Sequence, residues 1–181
     1  TGFAMTSGVK NTIIGGLAGD ALTTGSYNTA LGHLALSTED AHGKNVAIGY
    51  ATLAALNAGT DAYNIAIGYH AGVAVTSGTL NTIIGGLAGD ALTTGSRNVA
   101  IGHGALSTED ANGRNVAIGY YSLVNQNAGA DAYNVAVGYN AGENVTTGIQ
   151  NTIIGGLAGD ALTTGDNNII IGYNAAASAV G

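Results

Sequence analysis

Apolar positions recur along this chain in one fixed order: an asparagine, two residues, an aliphatic residue, then glycine. Ten asparagines open the pattern, Asn11, Asn28, Asn45, Asn64, Asn81, Asn98, Asn115, Asn134, Asn151 and Asn168. Each precedes by four residues one of the glycines Gly15, Gly32, Gly49, Gly68, Gly85, Gly102, Gly119, Gly138, Gly155 and Gly172. The residue before each of those glycines is always Ile, Leu or Val. In the NVAIG segments that begin at Asn45 and Asn115, side chains must alternate as in a strand. Val46 and Ile48 then share one face while Ala47 takes the other. Neither face is polar. Unbroken apolar runs such as Ile65-Ala66-Ile67, Val135-Ala136-Val137 and Ile169-Ile170-Ile171 are the mark of parallel strands covered front and back. The pattern predicts one short strand in each of about ten units.

The asparagines are spaced 17, 17, 19 and 17 residues apart, twice over and then 17 once more, so four units make a block of 70 residues starting at 11, 81 and 151. Within it the segment NTIIGGLAGDALTTG stands unchanged at 11–25, 81–95 and 151–165. A globular core rarely repeats letter for letter, because its positions meet different neighbours; stacked coils give equivalent positions equivalent neighbours. The fold expected is all-β, a parallel β-solenoid of 17-, 17-, 19- and 17-residue coils forming a single segment over 1–181. The second half of each unit offers an inner cover: Ala18, Ala21 and Leu22, then Leu53 and Leu56, then Val73 and Val75. Nothing in the chain covers the other side of the strand, so a large apolar stripe is expected to pack against further copies, most simply in a ring of a few chains.

The glycine after each aliphatic anchor suits a corner with positive φ or a close backbone approach, and Gly25, Gly43, Gly59 and Gly78 suit a second corner. Stacked asparagines can pair amide to amide or cap the turn backbone. Coils rising about 4.8 Å each would give a rod roughly 45 to 50 Å long. The longer units carry NAGTDAY at 57–63 and NAGADAY at 127–133, which should protrude.

Composition narrows the partners. Thirty-one glycines at fixed places argue against long helices, and 46% apolar content with 8% charged residues argues against disorder. A net charge of −7, with Lys10, Lys44, Arg97 and Arg114 as the only cations, leaves no electrostatic footprint for nucleic acid and disfavours an anionic membrane surface. No apolar run is long enough to insert in a membrane, and cysteine is absent. Residues 2–10 (GFAMTSGVK) match 72–80 (GVAVTSGTL), so the chain opens within a coil and reads as a piece of something longer.

The units NTALGHLAL (28–36), NVAIGYATL (45–53) and NVAIGYYSL (115–123) resemble the head repeats of YadA-like trimeric autotransporter adhesins, and at least as much the NTAxG repeats of phage tail fibres and tail-fibre-like surface proteins. The resemblance spans essentially the whole chain. It implies a left-handed parallel β-roll, three rolls packed side by side as a homotrimer, and an extracellular place on a cell surface or a virion. The coils here are longer than those common in adhesin heads, which favours the fibre-like branch.

Candidate chemistry is sparse. The position after the corner glycine holds His33 and His103 in two coils and Tyr50, Tyr69, Tyr120, Tyr139 and Tyr173 in others, an aromatic edge that either stacks along the solenoid or contacts glycans. His42 and His70 become Asn112 and Asn140 in the next block, which weakens any repeated ligand set. Asp20, Asp90 and Asp160, with Glu39-Asp40 and Glu109-Asp110, read as a solvated acidic edge; the spacing of calcium-binding rolls is missing. Asn144 begins one glycosylation sequon. No nucleophile recurs beside a base, so no catalytic residue, metal site or cofactor is expected. The reading is a non-catalytic structural or adhesive fibre segment whose partners are itself and a surface glycan or protein receptor. One alternative is a self-assembling end-to-end filament. An acyltransferase of the left-handed β-helix type is disfavoured because its coils carry three aliphatic anchors per turn. An ice-binding surface is disfavoured because Thr23 and Thr24 recur only in every fourth unit.

Overall fold

The computed structural model of the chain describes residues 2–176, and all facts below concern these residues. It is a β-solenoid. Ten three-residue strands, β1 (Thr12–Ile14), β2 (Thr29–Leu31), β3 (Val46–Ile48), β4 (Ile65–Ile67), β5 (Thr82–Ile84), β6 (Val99–Ile101), β7 (Val116–Ile118), β8 (Val135–Val137), β9 (Thr152–Ile154) and β10 (Ile169–Ile171), form one parallel sheet in chain order. Register is one to one throughout: Thr12 lies opposite Thr29, and Thr29 opposite Val46. The two-residue insertions do not disturb it, since Val46 still pairs with Ile65 and Val116 with Val135. Extra residues can be absorbed because they fall in the turns rather than on the ladder.

Each strand turns its middle residue inward. Ala30, Ala47, Ala66, Ala100, Ala117 and Ala136 are buried there, with Ile83, Ile153 and Ile170 where the core has room. That room comes from glycine: the Ile83 Cδ1 lies beside the backbone of Gly72 and Gly89, where an added Cβ would sit 2.9 and 3.5 Å from it. Large residues thus fill the space that glycines leave, as close packing requires. The opposite wall is a column of buried side chains, Leu22, Leu56, Val75, Leu92, Val145 and Leu162, with Glu39, Glu109 and Gln126 in the same stack. Of the residues expected to supply the inner cover, Ala18, Leu22, Leu53, Leu56 and Val75 are buried, whereas Ala21 and Val73 are only half-buried.

The second half of each coil contains no strand. Stacked turns are held there by hydrogen bonds between equivalent positions, such as Thr76 N–H to Thr93 O (2.9 Å) and Thr146 N–H to Thr163 O (2.8 Å). At the first corner Gly15 has φ 131°, and a Cβ on it would lie 2.5 Å from the Gly32 carbonyl oxygen. Both reasons for glycine, backbone sign and close approach, therefore apply at once.

Sequence reasoning missed a further device. The residue just before each ladder asparagine, from Lys10 (φ 60°) and Tyr27 (63°) to Asn167 (60°), is left-handed although none is glycine. Such a backbone costs roughly 1–2 kcal/mol at a non-glycine residue. At seven of the ten its N–H is donated to the preceding coil, as in Lys44 to Ser26 O (3.1 Å) and Arg97 to Thr79 O (3.0 Å), which holds the conformation in place; in the two coils with insertions Ala62 and Ala132 donate instead.

The asparagine ladder is continuous. At every one of its nine steps the backbone N–H of one asparagine donates to Oδ1 of the asparagine one coil earlier, at 2.8–3.1 Å. The Nδ2 groups mostly reach across their own coil to a carbonyl at the second corner, for instance Asn81 to Gly95 O (2.9 Å) and Asn134 to Gly148 O (2.8 Å). Capping of the backbone dominates; direct amide pairs occur between Asn45 and Asn28 (3.3 Å) and between Asn168 and Asn151 (3.0 Å).

Candidate functional site: an apolar sheet face and its flanking columns

The outward side chains of the strands form two parallel columns. One, from Ile14 through Ile48, Ile84 and Ile118 to Ile171, is aliphatic at every rung; the other, from Thr12 through Val46, Val99 and Val135 to Ile169, has six aliphatic residues and four threonines. No charged residue interrupts either column. Among the described residues nothing covers them: Leu31 and Ile65 are each 41% exposed in the body of the sheet, while the middle residues of the same strands are buried. In a single chain, then, these strands are buried on one side only.

The aromatic edge expected from sequence lines one margin of this face. His33, Tyr50 and Tyr69 stack in register with centroids 5.5 Å apart, and His103, Tyr120 and Tyr139 repeat the arrangement at 5.5 and 5.4 Å. His70 joins the first stack, its ring centroid 4.2 Å from that of Tyr69 and the two planes nearly parallel at 4°. Because neighbours cover the ring faces, the phenol rims rather than the faces of Tyr50 and Tyr120 are what the margin offers. Gly16, Gly86 and Gly156 interrupt the column.

The other margin carries the left-handed residues before each asparagine, and all four cations of the chain stand in that one column. Lys10 donates to the Tyr27 hydroxyl (3.0 Å) and lies 4.8 Å from its ring centroid. Lys44 bonds Asp61 (2.6 Å) and the Tyr63 hydroxyl (2.9 Å), and Arg114 repeats the set with Asp131 and Tyr133. Asp61 and Asp131 come from the two insertions, and each also accepts a backbone N–H, from Gly43 and Gly113 respectively, at 3.1 Å. The hydrogen bond from Lys44 holds the Asp61 carboxyl below its ordinary range and the Lys44 ammonium above its own. The recurrence of cation, aspartate and tyrosine at the 70-residue offset was the sequence signal for this cluster.

The acidic edge differs from expectation. Glu39 and Glu109 are fully buried in the core column rather than solvated, and burial pushes both carboxyls above their ordinary value. In each, one oxygen accepts a backbone N–H, from His42 (3.1 Å) and Asn112 (3.2 Å), and the other has no hydrogen-bond partner. The Asn144 amide of the sequon donates to Asp160 O at 2.8 Å.

No protein-family model, curated protein or solved structure matches this chain. Among the described residues no helix is long and apolar enough to cross a membrane. The site is therefore characterised by its own geometry: a flat, uncharged, repetitive face between an aromatic margin and a cationic one.

Proposed function

We propose that this chain is a non-catalytic structural segment of an extracellular fibre or adhesin, and that it associates with copies of itself through the outward face of its sheet. The observation that carries the reading is that face, ten rungs of β-branched and leucine side chains left open to solvent in one chain. Burying such an area returns about 25 cal/mol per Å², and stripes of that extent on soluble proteins usually mark an interface. A second copy is the fitting occupant because its rungs have the same spacing, so side chains interdigitate at every step. In a closed ring each chain's cationic margin meets the next chain's aromatic margin, where Lys and Arg N–H groups can donate to the exposed phenol oxygens. The resemblance to adhesin heads and tail fibres supports three as the number and a cell surface or virion as the place.

Native mass measurement tests this. A species at a whole-number multiple of 17.6 kDa, three for the trimer, is expected at micromolar concentration, and a stable monomer would refute it. Glycan-array binding then separates an adhesive tip, which retains sugars on its tyrosine margin, from a passive shaft, which does not.

A further inference from the structure

We propose that Glu39, Asp40 and His42 form a binding site for one first-row divalent metal ion, of which zinc is the type. This departs from the expectation that the chain holds no metal, and it stands apart from any association between chains. Among the described residues this is the one group of three such side chains whose ligand atoms all lie within 4.8 Å of one another.

Two unpaired atoms meet here, of which the imidazole's is the one peculiar to this block, since Glu109 Oε2 is unpaired as well. The Glu39 side chain is fully buried in the core column, and its Oε2 has no hydrogen-bond partner. His42 Nδ1 is likewise buried and unpartnered, 3.7 Å from Glu39 Oε1, too far for a hydrogen bond between them. Polar atoms thus converge with no hydrogen bond between them, in a column where Glu39 is flanked by Leu22 and Leu56. A cation satisfies both. Ligands about 2.1 Å from zinc at tetrahedral angles stand about 3.4 Å from each other, so the imidazole and Glu39 Oε1 need close by only a few tenths of an ångström, and the group's other ligand atoms start within 4.8 Å. One imidazole with two carboxylates favours a first-row ion over calcium, which takes oxygen ligands in greater number. The turn is already fixed: Asp40 O accepts from Thr23 Oγ1 (2.9 Å) and His42 O from Asn28 Nδ2 (3.2 Å).

The chain contains its own control. Glu109 and Asp110 repeat the acids one block later, but Asn112 stands where His42 would be; with its amide turned so that the oxygen faces donors, Oδ1 accepts from the Gly129 and Ala130 N–H groups at 3.3 and 3.2 Å. The two turns share their flanking residues, Glu39-Asp40 with Gly43 and Glu109-Asp110 with Gly113, so exchanging His42 and Asn112 should leave the fold intact.

Zinc titration by calorimetry at pH 7, with calcium in parallel, tests the site. His42→Asn is expected to bind one zinc equivalent fewer than the unaltered chain, and Asn112→His one more, with circular dichroism unchanged; calcium should give no comparable heat. Equal zinc stoichiometry in the unaltered chain and His42→Asn would overturn the proposal, as would failure of Asn112→His to gain an equivalent. Because His33, His70 and His103 persist in every variant, adventitious binding to them cancels in the comparison.

Discussion

Replacing Asn81 by alanine tests whether the ladder holds the coils together. Asn81 is buried; its Oδ1 accepts the Asn98 N–H and its Nδ2 donates to Gly95 O, both at 2.9 Å. Alanine leaves a buried N–H and a buried C=O without partners, each costing about 1–3 kcal/mol, so a loss of about 2–4 kcal/mol is expected once the relief of burying no amide is set against it. Asn11 makes the same two bonds, to Asn28 N–H and Gly25 O at 2.8 Å, but is only half-buried. Water can reach the freed groups there, and Asn11→Ala should cost about 1 kcal/mol. The assay is urea unfolding followed by circular dichroism at one fixed protein concentration, because association would shift the midpoint. Curves should be fitted with nearest-neighbour coupling between coils, since a solenoid need not unfold in two states. The reasoning fails if Asn81→Ala lies within about 0.5 kcal/mol of the unaltered chain, below any reported cost of an orphaned buried group. It fails equally if the two positions behave alike.

The other predictions address the corner, the outer face and the buried acids. Gly85→Ala combines φ 133° with a clash on the Gly102 carbonyl and should lower stability by more than 3 kcal/mol, whereas Gly59→Ala, whose Cβ meets nothing, should cost about 1 kcal/mol; thermal melts that rank them alike would contradict the two-cause account. Ile84→Glu with Ile118→Glu places charge in the outward aliphatic column, and sedimentation should show the assembly falling apart to single chains; unchanged mass would place the interface elsewhere. Burial raises the folded-state pKa of Glu109 from its ordinary 4.5, so its contribution is present below the unfolded pKa and is lost as pH rises through the folded one. Glu109→Gln should therefore stabilise the chain at pH 7 and make little difference at pH 4, and denaturant midpoints that shift equally at both values would rule this out.

The rungs were legible from sequence because one residue type recurs wherever one physical demand recurs. Asparagine stands wherever a side chain must cap the next coil, glycine wherever two backbones touch, and small apolar residues wherever the strand faces inward. The left-handed residues before each asparagine were hidden, because side chains as unlike as Lys44, Tyr27 and Leu80 occupy them. There the demand falls on the backbone N–H, which every residue but proline possesses. Glu39 was misread for a related reason: its type suggests solvent, but its place in the column of Leu22 and Leu56 puts it inside. Aligning the coils by column, rather than reading the acids along the chain, exposes that substitution.

The three unchanged copies of the segment 11–25 bear on how such a molecule can vary. A chain that gained or lost one whole block of 70 residues would keep every rung facing the kind of rung it faced before. Length then changes in steps of four coils, roughly 19 Å, while the pattern of side chains along every edge stays in phase.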